Sequence, residues 1–403
     1  MATKQLIEST LERGGGILRM IPTFIPRQFS APGHRLRLHP DDYFALGTAR
    51  GAIKERWFSS VIPANNGPLA PADEGMSYVS AGDDPQDRFT LKEAVDTLGA
   101  DLVGEDLMRE HGGWPMYSKF FDFGKPLFHH LHLGFEHASK VSRLGKPEAY
   151  YFPVQLNNHL GEFPVTYFGF DPEVTIDQVR ERLLAYEDGD NRITELSRAY
   201  RIVLGTGWYV PPGVLHAPGS VLTYEPQWNS DVNSVYENIA AGEVYPYDFL
   251  AENCPEDRKR NVDYILSLMD WEANVDPHFK RKYFRPPIDA HSDGSHAERW
   301  IAYGNPYISA KELSVQPGET VTVKDGAAYG CILVQGHGKI GVHDAEAAIM
   351  LRFGQLSQDE FFVSERAARE CVRVTNHSRS EPLVILKHFG PNHPDAPRQV
   401  IAT

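Results

Sequence analysis

Three short segments of this chain carry side chains able to bind a transition metal. They are Phe128-His129-His130-Leu131-His132, Gly145-Lys146-Pro147-Glu148 and Pro211-Pro212-Gly213-Val214-Leu215-His216. Brought together they supply three imidazoles and a carboxylate, a donor set suited to a divalent transition metal that keeps coordination positions open. Side chains alternate faces along an extended strand, so His130 and His132 point one way and His129 the other. The spacing Gly205-x5-Pro211-x-Gly213-x2-His216 sets the third imidazole just after a tight turn. A His-x-His pair by itself is as readily two hydrogen-bonded strand residues as a metal site.

The elements that must position these residues are mostly strands. Residues 116–170 run in short apolar and aromatic stretches punctuated by Gly and Pro, which is strand-and-turn chemistry. Strands resume over 200–204 and continue through Tyr224. Thr90 can cap a helical insertion over 90–111, with Leu91, Ala94, Val95 and Leu98 on one face. Thr175-x-x-Gln178 reads as a capping box opening a helix over 175–187, with Ile176, Val179, Leu183 and Leu184 as its buried stripe. A further helix is expected over 255–271, with Val262, Ile265, Leu266 and Met269 inward, linking two domains. Short strands follow over 319–323, 328–335, 339–342, 371–375 and 383–387. Before all of these come a short polar helix, the run Gly14-Gly15-Gly16 and a region of loops and short strands in which Trp57 reads as core.

Composition narrows the classes. At 403 residues the chain is long for one core. Its mean hydropathy of -0.39 and 23% charged residues fit an ordinary globular protein. A net charge of -14 argues against a nucleic-acid or anionic-membrane partner, which would select clustered Lys and Arg. The first 20 residues carry Glu8 and Glu12 and lack a signal-length apolar run, and no later segment is long enough to span a bilayer. A cytoplasmic location is expected. Cys254, Cys331 and Cys371 are far apart and odd in number, so they read as reduced structural thiols.

The Gly, Pro, Gly, His spacing and the His-x-His pair resemble the two motifs of the cupin superfamily. One branch is matched more closely. Lys119-Phe120-Phe121-Asp122, then His132, then Gly145-Lys146-Pro147-Glu148, then Pro211-x-Gly213-x2-His216-Ala217, then Glu225-x4-Ser230-Asp231 resemble the ordered motifs of type I mannose-6-phosphate isomerases across residues 115–240. The resemblance implies a mainly β fold with two cupin-type β-barrel (jelly-roll) domains and helical insertions. It suggests a catalytic domain over 1–245, a helical connection over 246–298 and a degenerate second cupin over 299–403.

Carried over by position, the resemblance implies His130, His132, Glu148 and His216 as metal ligands, with His130 standing where those isomerases usually have Gln. The general cupin pattern His-x-His-x3-Glu would instead select Glu136; the more specific Lys146-Pro147-Glu148 motif selects Glu148. The cofactor would be one divalent transition metal, zinc first, with Mn, Fe, Co or Ni fitting the same donors. Moving a proton beside a carbonyl needs a Lewis acid and a shuttle. Lys146, Glu225 and Asp231 are the candidates for proton transfer and positioning, and Lys119 for substrate contact.

An aldose–ketose isomerase acting on a sugar or sugar phosphate is the leading expectation. A cupin oxygenase using the same ligands, and a sugar-binding protein without turnover, are the rivals. The isomerases carry an Arg shortly after the Ser-Asp pair, whereas Asp231 is followed here by Val232-Asn233-Ser234-Val235. The run Lys280-Arg281-Lys282-x-x-Arg285 is the available substitute. His337 and His343 lack either cupin motif, so no metal site is expected around them.

Overall fold

The computed structural model describes residues 2–159 and 161–400. Strand residues outnumber helical ones, so the mainly β expectation holds. The sheets are antiparallel, and among the described residues none closes into a barrel.

Four sheets stack in layers. The first has five strands, in the order Ser197–Arg201, Val165–Phe170, His216–Ala217, His130–Leu131 and Ser234–Val235. The second has seven, ordered Phe284–Arg285, Gly207–Val210, Glu148–Tyr151, Thr223–Trp228, Met116–Phe121, Ala52–Phe58 and Thr23–Arg27. Phe121, Tyr150 and Trp208 from the second pack against Phe168 of the first and Val214 in the turn before its strand His216–Ala217. On its opposite face, Phe120, Tyr151 and Tyr224 pack against Ile332, Phe362 and Leu386 of a nine-stranded sheet. That sheet in turn packs Leu313, Cys331 and Phe361 against Val321, Ile340 and Val374 of a four-stranded one. A sheet covered on both sides has no solvent face, which is why Met116–Phe121 and Thr223–Trp228 are buried at every position rather than at every second one.

The nine-stranded sheet draws on both ends of the chain. Ile17–Ile21 pairs with Glu360–Val363 on one side and Tyr78–Ser80 on the other. Short strands were expected in the N-terminal region, but not their pairing into this sheet, and the hairpin Ile288–Ser292/His296–Ala302 was not foreseen. The expected strands of the C-terminal region are present as Thr320–Val323, Tyr329–Gln335, His337–Ile340, Val372–Asn376 and Leu383–Phe389.

Helices depart from expectation where capping residues intervene. The insertion over 90–111 is three short helices, Leu91–Leu98, Ala100–Val103 and Glu105–His111, broken at Gly99 and Gly104. Thr90 and Glu93 form a capping box. The Thr175–Gln178 box opens Ile176–Leu184 as expected. Ile176 and Leu184 nevertheless face solvent, at 39% and 63% exposure, so the buried stripe narrows to Val179 and Leu183. The expected helix over 255–271 is interrupted. Asn261 caps Val262–Ser267 through Tyr264 N–H, and Asp270 caps Trp271–Asn274 through Ala273 N–H, so each begins a new element instead of continuing the old one.

Candidate metal centre

Strand register explains why distant residues converge. In the seven-stranded sheet Glu225 lies opposite Lys119 and Gln227 opposite Glu148. Positions 225 and 227 share a face, so Lys119, Glu225 and Glu148 all project toward the five-stranded sheet. Across the gap His216 pairs directly with His130, and their rings sit 4.2 Å apart. His132 follows on the same side, its ring 5.0 Å from each of the other two. The turn before His216 needs Gly213, whose φ is +80° and whose N–H donates to the His132 carbonyl at 2.8 Å. A Cβ there would meet Asp270 N at 2.7 Å.

Each of the three histidines donates Nδ1–H to a backbone carbonyl: His130 to Phe128 at 2.9 Å, His132 to Val232 at 2.7 Å and His216 to Val214 at 2.8 Å. That fixes the tautomer, leaving each Nε2 as a lone pair turned inward. Their ligand atoms all lie within 4.8 Å of one another. Glu148 sits among them, with Oε2 3.0 Å from His132 Nε2 and Oε1 3.2 Å from His216 Nε2. In this tautomer no proton lies between those acceptors, and Glu148 Oε1 and His216 Nε2 face each other with no hydrogen-bond donor between them. Burial, then the other two imidazoles, pushes the His130 pKa well down; burial, then the Lys146 charge, takes His132 to about 3. Neutral imidazoles facing a buried carboxylate call for a cation. The donor set and its hydrogen-bonded outer partners fit a divalent transition metal.

Beside this cluster runs a chain of alternating charges. Lys146 Nζ lies 2.9 Å from Glu148 and 3.1 Å from His132 Nε2, supplying part of the counter-charge. It is also 3.4 Å from Glu225, which Lys119 meets at 3.1 Å. Burial is the largest influence and opposes the Glu148 charge, but Lys146 together with His132 and His216 outweighs it and holds the carboxyl well below its usual range. Glu225 goes the other way: burial, then repulsion from Glu148, pushes it up to about 8 against the pull of both lysines. Two carboxyls a few ångströms apart are thereby held in different protonation regimes, a pattern typical of acid–base sites.

His130, His132, Lys146, Glu225, Lys119 and Asp231 line one cavity of about 670 Å³, with Glu148 and His216 fully buried behind them. The other candidates lie elsewhere. Glu136 is exposed on the helix Phe135–Ser139 and pairs with Lys140 at 3.0 Å, so the carboxylate among the histidines is Glu148. His129 points away and binds Glu237 at 2.6 Å. The run from Lys280 does not line the cavity: Lys282 pairs with Asp276, and Arg285 is buried against the Tyr303 carbonyl.

Sequence reasoning missed Arg27. Its guanidinium donates to both Asp231 oxygens, at 3.1 and 3.2 Å, and forks onto Glu55 at 2.9 and 3.1 Å. Trp57 is fully buried, as expected of a core residue, and its Nε1–H fixes Glu55 at 2.8 Å. An arginine therefore stands beside Asp231, delivered by the strand Thr23–Arg27 rather than by the residues that follow Asp231. Also missed was a surface group, exposed His291 and Asp293 with half-buried His296, whose ligand atoms lie within 4.8 Å of one another. Asp293 Oδ1 is already spent closing that hairpin turn, accepting from Ser295 N, Ser295 Oγ and His296 N. Cys254 and Cys331 are buried and Cys371 is exposed; all three are free. No described helix is long and apolar enough to cross a membrane.

No protein-family model and no curated protein matches the chain. Solved structures do. Mannose 6-phosphate isomerase from Bacillus subtilis is 17% identical, with a TM-score of 0.62 over 93% of this chain and 100% of that one. A variant of phosphomannose isomerase from Salmonella typhimurium is 10% identical, with a TM-score of 0.59 and coverage of 93% and 100%. A zinc-bound mannose 6-phosphate isomerase is 10% identical, with a TM-score of 0.59 over the same shares. At such identities the likeness is one of fold, and it spans nearly the whole chain.

Proposed function

We propose that this chain is a metal-dependent aldose–ketose isomerase of the mannose-6-phosphate isomerase kind, acting on a sugar or sugar phosphate. We read its paired sheets as open forms of two cupin domains, over 1–245 and 299–403, joined by a helical connection over 246–298, with N-terminal strands lent to the second. One observation carries the reading: three tautomer-fixed imidazoles and Glu148 converge beside a buried Lys119–Glu225–Lys146 chain. His130, His132, Glu148 and His216 would hold one divalent metal, with zinc the first candidate, as in the zinc-bound structure of similar fold.

When bound, the metal supplies Lewis acidity at a substrate oxygen. Glu225 takes the proton from C2 of the aldose and returns it to C1, the raised pKa matching it to that exchange near neutral pH. The proton on O2 passes to O1 by way of Lys146, so that C1 gains a hydrogen and C2 becomes the carbonyl. Lys119 steadies Glu225 and the oxygen that gains charge. Asp231, fixed by Arg27 and by Asn65 N–H at 2.8 Å, accepts substrate hydroxyls and sets their orientation. An oxygenase would have no use for this proton-transfer chain. Arg27 beside Asp231 weakens the case for a binding protein that has lost its arginine.

The test is a screen of aldoses, ketoses and their phosphates with purified chain, before and after chelation. Turnover should fall to background on metal removal and return on adding zinc or a related ion. Turnover unaffected by complete metal removal would defeat the proposal.

A further inference from the structure

The cavity above the candidate centre is acidic. Glu55, Glu225, Asp231, Glu243, Asp248 and Glu252 line it, against the cations Arg27, Arg50, Lys119 and Lys146. Six carboxylates and four cations leave the lining at a formal -2 before any metal is counted.

Each of the four cations is already paired with carboxylates of the chain. Arg27 spends Nε and one terminal nitrogen on Glu55 and Asp231, and the other on the Asn65 carbonyl at 3.2 Å. Arg50 grips both Glu74 oxygens at 2.6 and 2.7 Å and the Leu69 carbonyl at 3.1 Å. Lys119 and Lys146 are held by Glu225 and Glu148. The mouth is more acidic still. Asp248 and Glu252 are exposed there with half-buried Glu243; Lys54 acts on Glu243, and Lys259 and Arg260 on Asp248, only at longer range than a direct ion pair. Asn65 on the opposite loop donates to Glu252 at 3.0 Å, which sets that carboxylate at the rim.

A sugar phosphate brings a charge of about -1.5 to -2 at neutral pH and is recognised by forked, unspent arginines. A neutral sugar asks for hydroxyl acceptors, amides and flat apolar faces. This lining supplies them in its carboxylates, in Gln28 and Asn233, and in the rings of Phe29 and Phe123.

We infer that the cavity takes an unphosphorylated monosaccharide and that Glu243, Asp248 and Glu252 select against sugar phosphates at its mouth. The reaction performed on that sugar rests on the isomerase reading; the ligand class rests on the lining alone.

Calorimetric titration of the zinc-reconstituted full chain tests the inference, using free hexoses and pentoses, D-mannose and D-fructose among them, and their terminal phosphates. The same panel is scored for turnover. Free sugars should bind about tenfold more tightly than their phosphates, with kcat/KM in the same order. The double substitution Asp248→Asn, Glu252→Gln should raise kcat/KM for the phosphates by about threefold, and less so in about 0.5 M salt. Tighter binding of phosphates, or no binding of any free sugar, overturns the inference. Turnover of phosphates in the first case would leave the isomerase reading standing. Binding of free sugars without turnover of any kind supports the inference while sinking that reading.

Discussion

Glu225 stands or falls as a proton carrier by its position between two lysines and in front of Glu148. Its ionised form is the base, so kcat/KM should climb as pH rises through its pKa, between the ordinary 4.5 and about 8. A bound cation would offset the Glu148 charge and draw that limb downward. Glu225→Gln should flatten the limb and cut kcat by about a hundred- to ten-thousand-fold while leaving metal content unchanged. Unaltered kcat in that variant would remove Glu225 from the mechanism. The candidate ligands could be picked out in sequence because each lies in a local motif with its own turn or strand signal, as Gly213 does for His216. Arg27 was not. It reaches Asp231 across 204 positions of chain, by strand pairing alone, and nothing near either residue marks the meeting.

At the scale of elements, the strands around the site were readable from their aromatic runs, whereas the helix over 255–271 was misjudged because caps at Asn261 and Asp270 were taken as helix interior. The strand Leu383–Phe389 carries a residue that shows how the layers are joined. His388 projects from the nine-stranded sheet and its Nδ1 meets Ser118 Oγ and Tyr224 OH of the seven-stranded sheet, each at 2.9 Å. Burial lowers its pKa to about 3. An unfolded imidazole binds a proton near pH 6.5, and the folded one does not until about 3. Between those values the unfolded chain holds more protons, so stability is full above 6.5 and is lost as pH falls through the window. Denaturant melts between pH 6.5 and 5 should show His388→Gln losing less stability per pH unit than the parent, by up to about 1.4 kcal/mol. Equal slopes would contradict this.

For the whole molecule, the four stacked sheets explain why the chain must fold as a unit. Strands Ile17–Ile21, Tyr78–Ser80 and Arg88–Thr90 complete a sheet built mainly from residues beyond 288. A fragment of residues 299–403 would expose the edge and apolar face they cover, and should lack cooperative unfolding by circular dichroism. A sharp two-state melt of that fragment would contradict the account. Such interleaving was invisible in sequence, since strand pairing over more than 300 positions leaves no local trace. The same stacking brings the histidines of one sheet onto the glutamate of the next, and that junction is where a metal would sit. Anomalous diffraction at the metal edge, on crystals of the full chain grown with zinc, tests it most directly. One strong peak is expected about 2.0–2.3 Å from Nε2 of His130, His132 and His216 and from a Glu148 oxygen. An empty junction, with density only at His291, Asp293 and His296, would contradict it.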